Sequence, residues 1–381
     1  MSEPSPAPSG DEDSRRTLSG MDGAAIQALV LDAGGQAFQA RQLEHWIFRH
    51  GAADWDACRN LPRALRERLA TRARIRDSAV VTVDTASDGT EKLLLRLADG
   101  ETVETVIIPD GDRLTLCVSS QVGCPVACVF CASGLDGVRR NLRSGEIVEQ
   151  VLHARDRLAA AGRGIAPARL TNLVVMGLGE PMLNLDALVA ALDRIRDEEG
   201  IGLGARRITV STSGLPDRMR RFASTPHSYN LAVSLHAADD ALRRRLVPTA
   251  RATVAEIVAA AQDYFAQKSR EVTFEVVLLD GVNDRPRDAA ALIAVLRGFP
   301  CTVNLIPWNP VDRIAGLRRP SESRVDEFAE QLRRGGLNVT VRRQRGADRS
   351  AACGQLRLRQ LAPGDASAPQ DSRSQRPPDF G

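Results

Sequence analysis

Lysine is almost absent from this chain: Lys92 and Lys268 stand alone among 51 basic residues, so arginine carries the positive charge. Arginine offers phosphate a planar fork of donors, but a GC-rich coding sequence also favours it, and a net charge of +3 names no partner. There is no run of about 18 apolar residues, as a spanning helix needs. The first twenty residues are rich in Pro, Ser and acidic side chains and lack the apolar stretch of a secretory signal. A cytoplasmic protein without a membrane partner is the expectation. The seven cysteines are odd in number and scattered over 381 residues, unlike the dense pairs of a small secreted fold. Metal binding or catalysis becomes the stronger expectation for them.

With 43% hydrophobic residues the chain can bury one large core, or a core and a smaller module. Residues 1–20 and 361–381 show no hydrophobic periodicity and read as disordered tails. Apolar residues at helical spacing (Ile26, Leu29, Val30; Leu43, Trp46, Ile47) predict a small helical module over residues 21–78. Over residues 79–112 the period shortens to two, with turns at Asp88-Gly89 and Asp99-Gly100, which predicts a β extension. Residues 113–343 alternate strand-like and helix-like runs. Strands are expected at 114–119, 170–176, 207–211, 231–235, 272–279 and 302–306, with helices near 145–161, 185–196, 240–246, 254–267, 289–297 and 323–333. Six βα units predict an α/β fold, a partial (βα)6 barrel whose reactive residues gather at the C-terminal strand ends. A last strand at 338–341 leads to a loop over residues 344–360.

The first βα loop reads Gly123-Cys-Pro-Val-Ala-Cys-Val-Phe-Cys-Ala-Ser-Gly134 and puts Cys124, Cys128 and Cys131 directly after a strand. Three thiolates leave one metal position open. A structural zinc site wants four protein ligands in two pairs, and Cys58, Cys117, Cys301 and Cys353 form no second pair. A 4Fe-4S cluster on three cysteines keeps one iron free for an exogenous ligand. Zinc and buried structural thiols remain the alternatives. The CxxxCxxC spacing, with Phe130 before the third cysteine, resembles the signature of the radical S-adenosylmethionine (SAM) superfamily.

Further polar groups fall at later strand ends. Met176-Gly-Leu-Gly-Glu-Pro181 offers glycines for close backbone approach, Gly179 among them, and Glu180 as acceptor for an ammonium. It resembles the superfamily segment that holds the methionine amino group of SAM. Ser211 ends the third strand, Ser234-Leu235-His236 the fourth, and Asn309 follows the sixth. Each alone reads as a loop cap; their strand order makes a shared cofactor pocket the better account. Cys117 by itself reads as an inert core thiol and Glu104 as a strand-edge carboxylate. Cys353, flanked by Ala and Gly near many arginines, reads as a reactive thiol.

The strings Val118-Ser-Ser-Gln-Val-Gly-Cys124, Arg140-Asn-Leu142, Gly179-Glu-Pro-Met-Leu-Asn184, Ser211-Thr-Ser-Gly214, Ser234-Leu-His-Ala237, Asn304-Leu-Ile-Pro-Trp-Asn-Pro310 and Ala352-Cys-Gly-Gln-Leu356 together are similar to the RlmN/Cfr family of RNA adenine methyltransferases. Only the tails fall outside the resemblance; Pro125 and the stretch 312–318 read as departures that remove no needed residue. The resemblance implies a radical SAM core with a 4Fe-4S cluster on Cys124, Cys128 and Cys131, and two SAM molecules per turnover. It implies that Cys353 carries the methyl carbon to adenine C2, that Glu104 removes the ring proton, and that Cys117 releases the product by forming a disulfide. It also implies 23S rRNA, and some tRNAs, as substrates, and a low-potential reductant such as flavodoxin or ferredoxin.

The helical module is expected to position RNA, so that deleting residues 21–78 would abolish RNA binding and leave cluster assembly intact. Arginine-rich stretches at 63–76, 139–143, 243–245 and 342–349 are candidate phosphate contacts, though such runs are more often solvated faces. Methylation at C8 of the same base, as in Cfr, and a non-catalytic iron-sulfur or zinc protein that binds RNA are the rival readings.

Overall fold

The computed structural model describes residues 15–160, 170–311 and 313–342. The chain starts with a short strand β1 (Arg16–Thr17) and three helices, α1 (Gly23–Asp32), α2 (Ala37–Glu44) and α3 (Arg63–Ala70), before β2 (Ala73–Arg74) pairs back with β1 in parallel. Helix α1 begins where Asp22 accepts from Ala25 N at 2.7 Å, satisfying a first-turn donor. Ordered structure thus precedes the boundary expected at residue 21. Leu18 is fully buried and Ser19 Oγ donates to Glu149 Oε1 at 2.5 Å, so residues 15–20 belong to the fold and not to a tail.

The strands β3 (Ala79–Thr85), β4 (Glu91–Arg96) and β5 (Thr102–Asp110) form the expected antiparallel meander. It is not a separate extension. β5 pairs antiparallel with β6 (Arg113–Cys117), and β6 pairs in parallel with β9 (Asn172–Val175), so meander and barrel share one ten-stranded sheet. Between β6 and β9 a small hairpin, β7 (Gln121–Gly123) with β8 (Val138–Asn141), brackets the cysteine loop and precedes α4 (Ser144–Ala160). Parallel pairing continues through β10 (Ile208–Thr212), β11 (Asn230–Ser234), β12 (Val272–Leu278), β13 (Cys301–Pro307) and β14 (Asn338–Val341). Among the described residues β3 and β14 are the two edges, so the sheet stays open, as an incomplete barrel should.

The helices that follow are α5 (Leu185–Arg196), α6 (Pro216–Ala223), α7 (Asp240–Leu246), α8 (Val254–Lys268), α9 (Pro286–Leu296) and α10 (Glu322–Arg334). Helix α6 was not expected. It is short, starts on Pro216, and only Met219, Phe222 and Ala223 are buried among polar residues. No helix among the described residues is long and apolar enough to cross a membrane.

One apolar core runs from Leu18, Ile47 and Phe48 of the N-terminal module into α4, α5 and the sheet. Buried polar contacts fasten the same seam. Arg194 on α5 donates to Glu44 Oε1 (2.8 Å) and Met21 O (2.6 Å) and stacks 4.4 Å over the Phe48 ring. Glu149 on α4 accepts from Asp77 N (3.0 Å) and Ser78 N (2.8 Å), and Arg155 caps Phe48 O (2.5 Å). The N-terminal module is therefore part of the barrel's outer layer.

Candidate active site

The chain is fixed before the cysteines begin. Just past β6, Ser119 N donates to Gln150 Oε1 (2.7 Å), Gln150 Nε2 returns a bond to Ser119 O (3.0 Å), and Ser119 Oγ donates to Glu104 O (2.7 Å). At Gly123 the backbone has φ +76°, and a Cβ would fall 2.0 Å from Gly137 O, so only glycine lets β7 close on β8 here. The loop is then pinned on several sides. Cys124 N donates to Gly137 O (2.9 Å), Thr249 Oγ1 to Val126 O (2.8 Å), Val129 N to Leu246 O (3.0 Å) and Trp308 Nε1 to Phe130 O (2.8 Å). The Phe130 ring stands edge-on to His236 at 4.8 Å between centroids.

Cys124, Cys128 and Cys131 line one cavity of about 330 Å³. Burial pushes the Cys124 thiol up to about 12, with Cys131 and Glu180 adding to the effect, and burial with Cys131 and Cys124 pushes Cys128 well above its ordinary value. Thiols held protonated by burial, as Cys124 and Cys128 are, call for a cation that removes their protons on binding. A structural zinc site takes four protein ligands, whereas a cubane cluster on three cysteines gives each its own iron and leaves the fourth iron open. The donor set fits a 4Fe-4S cluster and not a mononuclear zinc ion.

The cradle beside the thiols comes from the turn after β9. Gly177 and Gly179 are there because the backbone passes against the β6–β7 segment: Cβ atoms would lie 2.7 Å from Ser119 Oγ and 2.7 Å from Gln121 Cβ respectively, and Gly179 has φ +106°. Close chain packing, more than ligand approach, explains the glycines. Glu180 is buried and accepts from Ser213 N (2.6 Å) and Met182 N (3.0 Å). Burial raises its pKa while those two donors pull it back, and a carboxylate has lone pairs left for an ammonium.

Gly179, Glu180, Ser211, Ser234, His236 and Asn309 all reach the cavity wall with the cysteines. Ser211 Oγ donates to Val175 O (2.6 Å) and Asn309 Oδ1 accepts from Arg319 (2.9 Å). Leu235 does not line it: its side chain is in the core, because alternation turns it away from its neighbours. His236 Nδ1 accepts from Val277 N (3.3 Å), which assigns the ring proton to Nε2. Burial, with Arg243 nearby, drives its pKa down to about 3, so the imidazole is neutral.

The antiparallel register carries the wall further. Lys92 pairs with Val106, Val106 with Cys117 and Cys117 with Val174, and all four line the cavity. Glu104 lies on the same face of β5 but is buried beside Ser119, off the cavity wall. No disulfide joins two of the described cysteines, so the disulfide implied for Cys117 has no counterpart among the described residues. Cys353 and the stretch 343–349 lie outside the described residues.

Two wall residues went unremarked as site candidates in the sequence. Lys92 is buried, and Glu275 on β12, also buried, accepts from Asn304 Nδ2 at 2.7 Å with its pKa raised by burial. For Glu275 a lone charge inside an apolar strand was the available signal. Two arginines of the described stretches are committed to the protein itself. Arg140 binds Glu146 through two nitrogens (2.8 and 2.9 Å) and Asp99 (2.6 Å), and Arg243 is wholly buried, so neither is a free phosphate contact.

Comparison with known proteins decides the family. Residues 118–293 match the model of the radical SAM superfamily, and residues 17–75 match the ribosomal RNA large subunit methyltransferase N-terminal domain. The chain is 44% identical over 341 residues to the dual-specificity RNA methyltransferase RlmN of Anaeromyxobacter dehalogenans, covering 89% of this chain and 91% of that one. The chain belongs to the RlmN family. A probable dual-specificity RNA methyltransferase RlmN of Rhodopirellula baltica is 46% identical, covering 86% of each chain. The crystal structure of a radical SAM methyltransferase from Sphaerobacter thermophilus superposes with a TM-score of 0.85 at 46% identity, covering 89% of this chain and 98% of that one. The start of the RlmN N-terminal match at residue 17 agrees with the ordered structure around Leu18.

Proposed function

We propose that this chain methylates C2 of an adenine in RNA, with 23S rRNA and some tRNAs as substrates. The observation that carries the reading is a single cavity lined by three cluster-type thiols, the Glu180 carboxylate and, on the adjoining sheet, Cys117. Adenine C2 lies between two ring nitrogens and is electron-poor, so methyl transfer by ordinary displacement fails there. The cluster and SAM, when bound, supply a carbon radical that avoids that barrier. Cys124, Cys128 and Cys131 hold the cluster, Glu180 takes the SAM ammonium, and neutral His236 offers an Nε2–H donor from the wall.

Cys353 carries the methyl carbon and Glu104 takes the ring proton, while Cys117 serves as the thiol for product release. Arg342, the last described residue before it, lines the cavity, and ten residues separate it from Cys353, eleven residues along the chain. Eleven residues span up to roughly 36 Å when extended, ample for that thiol to return to the cavity. RNA contact falls to the N-terminal module, and an external low-potential reductant such as flavodoxin or ferredoxin supplies the electron.

Anaerobic incubation with RNA and deuterated-methyl SAM tests this. Wild type should yield labelled 2-methyladenosine, identified by chromatography against standards, and Cys353→Ala none. Labelled 8-methyladenosine would move the chemistry to the Cfr position; label transferred by Cys353→Ala would remove the carrier thiol.

A further inference from the structure

Arg243 on α7 is 1% exposed and heads the largest fully buried side chains of the described residues. Its Nη2 donates to Ser213 O, and its Nε has no hydrogen-bond partner. No carboxylate among the described residues lies within ion-pair distance of it; the Asp240 carboxylate, one turn back, accepts from Val254 N at 2.7 Å. Helix α7 packs directly against the cysteine loop. Leu246 O accepts from Val129 N (3.0 Å), and Leu246 and Val247 join Val126 and Phe130 in one apolar cluster. The buried guanidinium thus sits on the helix that packs against the cysteine loop, and its charge is felt at Cys128 and His236. Through Ser213, whose N–H holds Glu180, the same side chain also touches the cradle beside the thiols.

Burying a guanidinium without an acidic partner is costly, and an uncompensated one is rarely retained. Asp240 is the carboxylate whose charge reaches it without an ion pair, and the anionic species that the cavity can add beside Cys128 is the cluster. Iron-sulfur cores on three thiolates carry net negative charge and gain one more on reduction, and nearby charge and hydrogen bonding set their potential. We propose that Arg243 is the buried counter-charge of the iron-sulfur cluster and raises its reduction potential. This rests on the reading of Cys124, Cys128 and Cys131 as cluster ligands. Arg243 is a positioning residue: it touches neither RNA nor the transferred carbon, and acts on the electron-accepting step alone.

The test is a dithionite titration of the reconstituted full-length protein, followed by electron paramagnetic resonance, in wild type, Arg243→Met, Arg243→Lys and Arg244→Met. Arg244 is the exposed neighbour on α7, so its variant removes the same formal charge at a distance. With Arg243→Met, iron content should match wild type, while the ratio of reduced to oxidised cluster at a fixed potential falls about tenfold, a shift of roughly 59 mV to the negative for one electron. Arg243→Lys should recover most of the shift and Arg244→Met should show none. Equal potentials in wild type and Arg243→Met would overturn the proposal, since a purely structural role lowers cluster content without moving the potential. An equal shift in Arg243→Lys and Arg243→Met would overturn it as well. Should Arg243→Met not fold, Arg243→Gln against Arg243→Lys makes the same comparison. Wild-type protein that takes up no iron sinks the cluster reading itself, and this proposal with it.

Discussion

At φ +62° after β11, His236 adopts a left-handed backbone that few side chains accept, and its buried ring stays neutral. The pH consequence has a definite sign. The unfolded chain protonates its histidine below about 6.5, while the folded one resists until about 3, so stability is full above 6.5 and falls as pH drops through that window. The slope approaches about 1.4 kcal/mol per pH unit for this one group. His236→Asn keeps an acceptor for Val277 N and tolerates the left-handed backbone. Denaturant melts between pH 7 and 4 should show a shallower acid slope for the variant than for wild type; parallel slopes would contradict the assignment. Gly179→Ala must carry a Cβ into Gln121 at φ +106°, a strain of about 1–3 kcal/mol. Equilibrium dialysis should find SAM binding weakened at least tenfold, whereas an unchanged affinity would detach Gly179 from the cradle. At this scale the cysteine loop and Glu180 were legible because their spacing is local. Lys92 and Glu275 were not, because which face of a strand lines a cavity depends on registers that only the assembled sheet sets.

Among the elements, α4 does the most to place the site. Its buried Glu146, Glu149 and Gln150 are polar residues on what periodicity alone marks as the helix of the first βα unit, and each has a definite task. Gln150 clamps Ser119 at the head of the cysteine loop, Glu146 receives Arg140 from β8, and Glu149 gathers the chain at residues 77–78. Gln150→Leu leaves Ser119 N and O and Thr105 Oγ1 without this partner in a buried setting. Urea denaturation should record a loss of about 2 kcal/mol or more, since each unsatisfied buried group costs roughly 1–3 kcal/mol. A change within experimental error would mean that the clamp is dispensable. The six parallel strands were legible to within about two residues because apolar runs and turn signals alternate cleanly. Helix α6 escaped because its buried face is narrow, and the buried Glu149 and Gln150 of α4 escaped because their partners Ser19, Asp77, Ser78, Thr105 and Ser119 lie 31 to 130 residues away in sequence.

The whole molecule behaves as one packing unit. The helical module looked separable in the sequence because its periodicity ends before a stretch of different period. Its apolar face is nonetheless continuous with the barrel core through α4 and α5, and Arg194, Arg155 and Glu149 stitch the seam. Removing residues 21–78 would uncover that face, so the truncated chain is expected to lose cooperative thermal unfolding and cluster uptake together. A truncated protein that binds four irons and melts sharply would contradict this and restore the module as an independent part. The central claim is that Cys124, Cys128 and Cys131 share a cluster that works on SAM. Its most direct test is iron and sulfide analysis after anaerobic reconstitution, with 5′-deoxyadenosine formation under dithionite, for wild type and the triple Cys→Ala variant. The account expects about four irons per chain and 5′-deoxyadenosine from wild type, and neither from the variant; one zinc per chain, or iron retained without the three thiols, would contradict it.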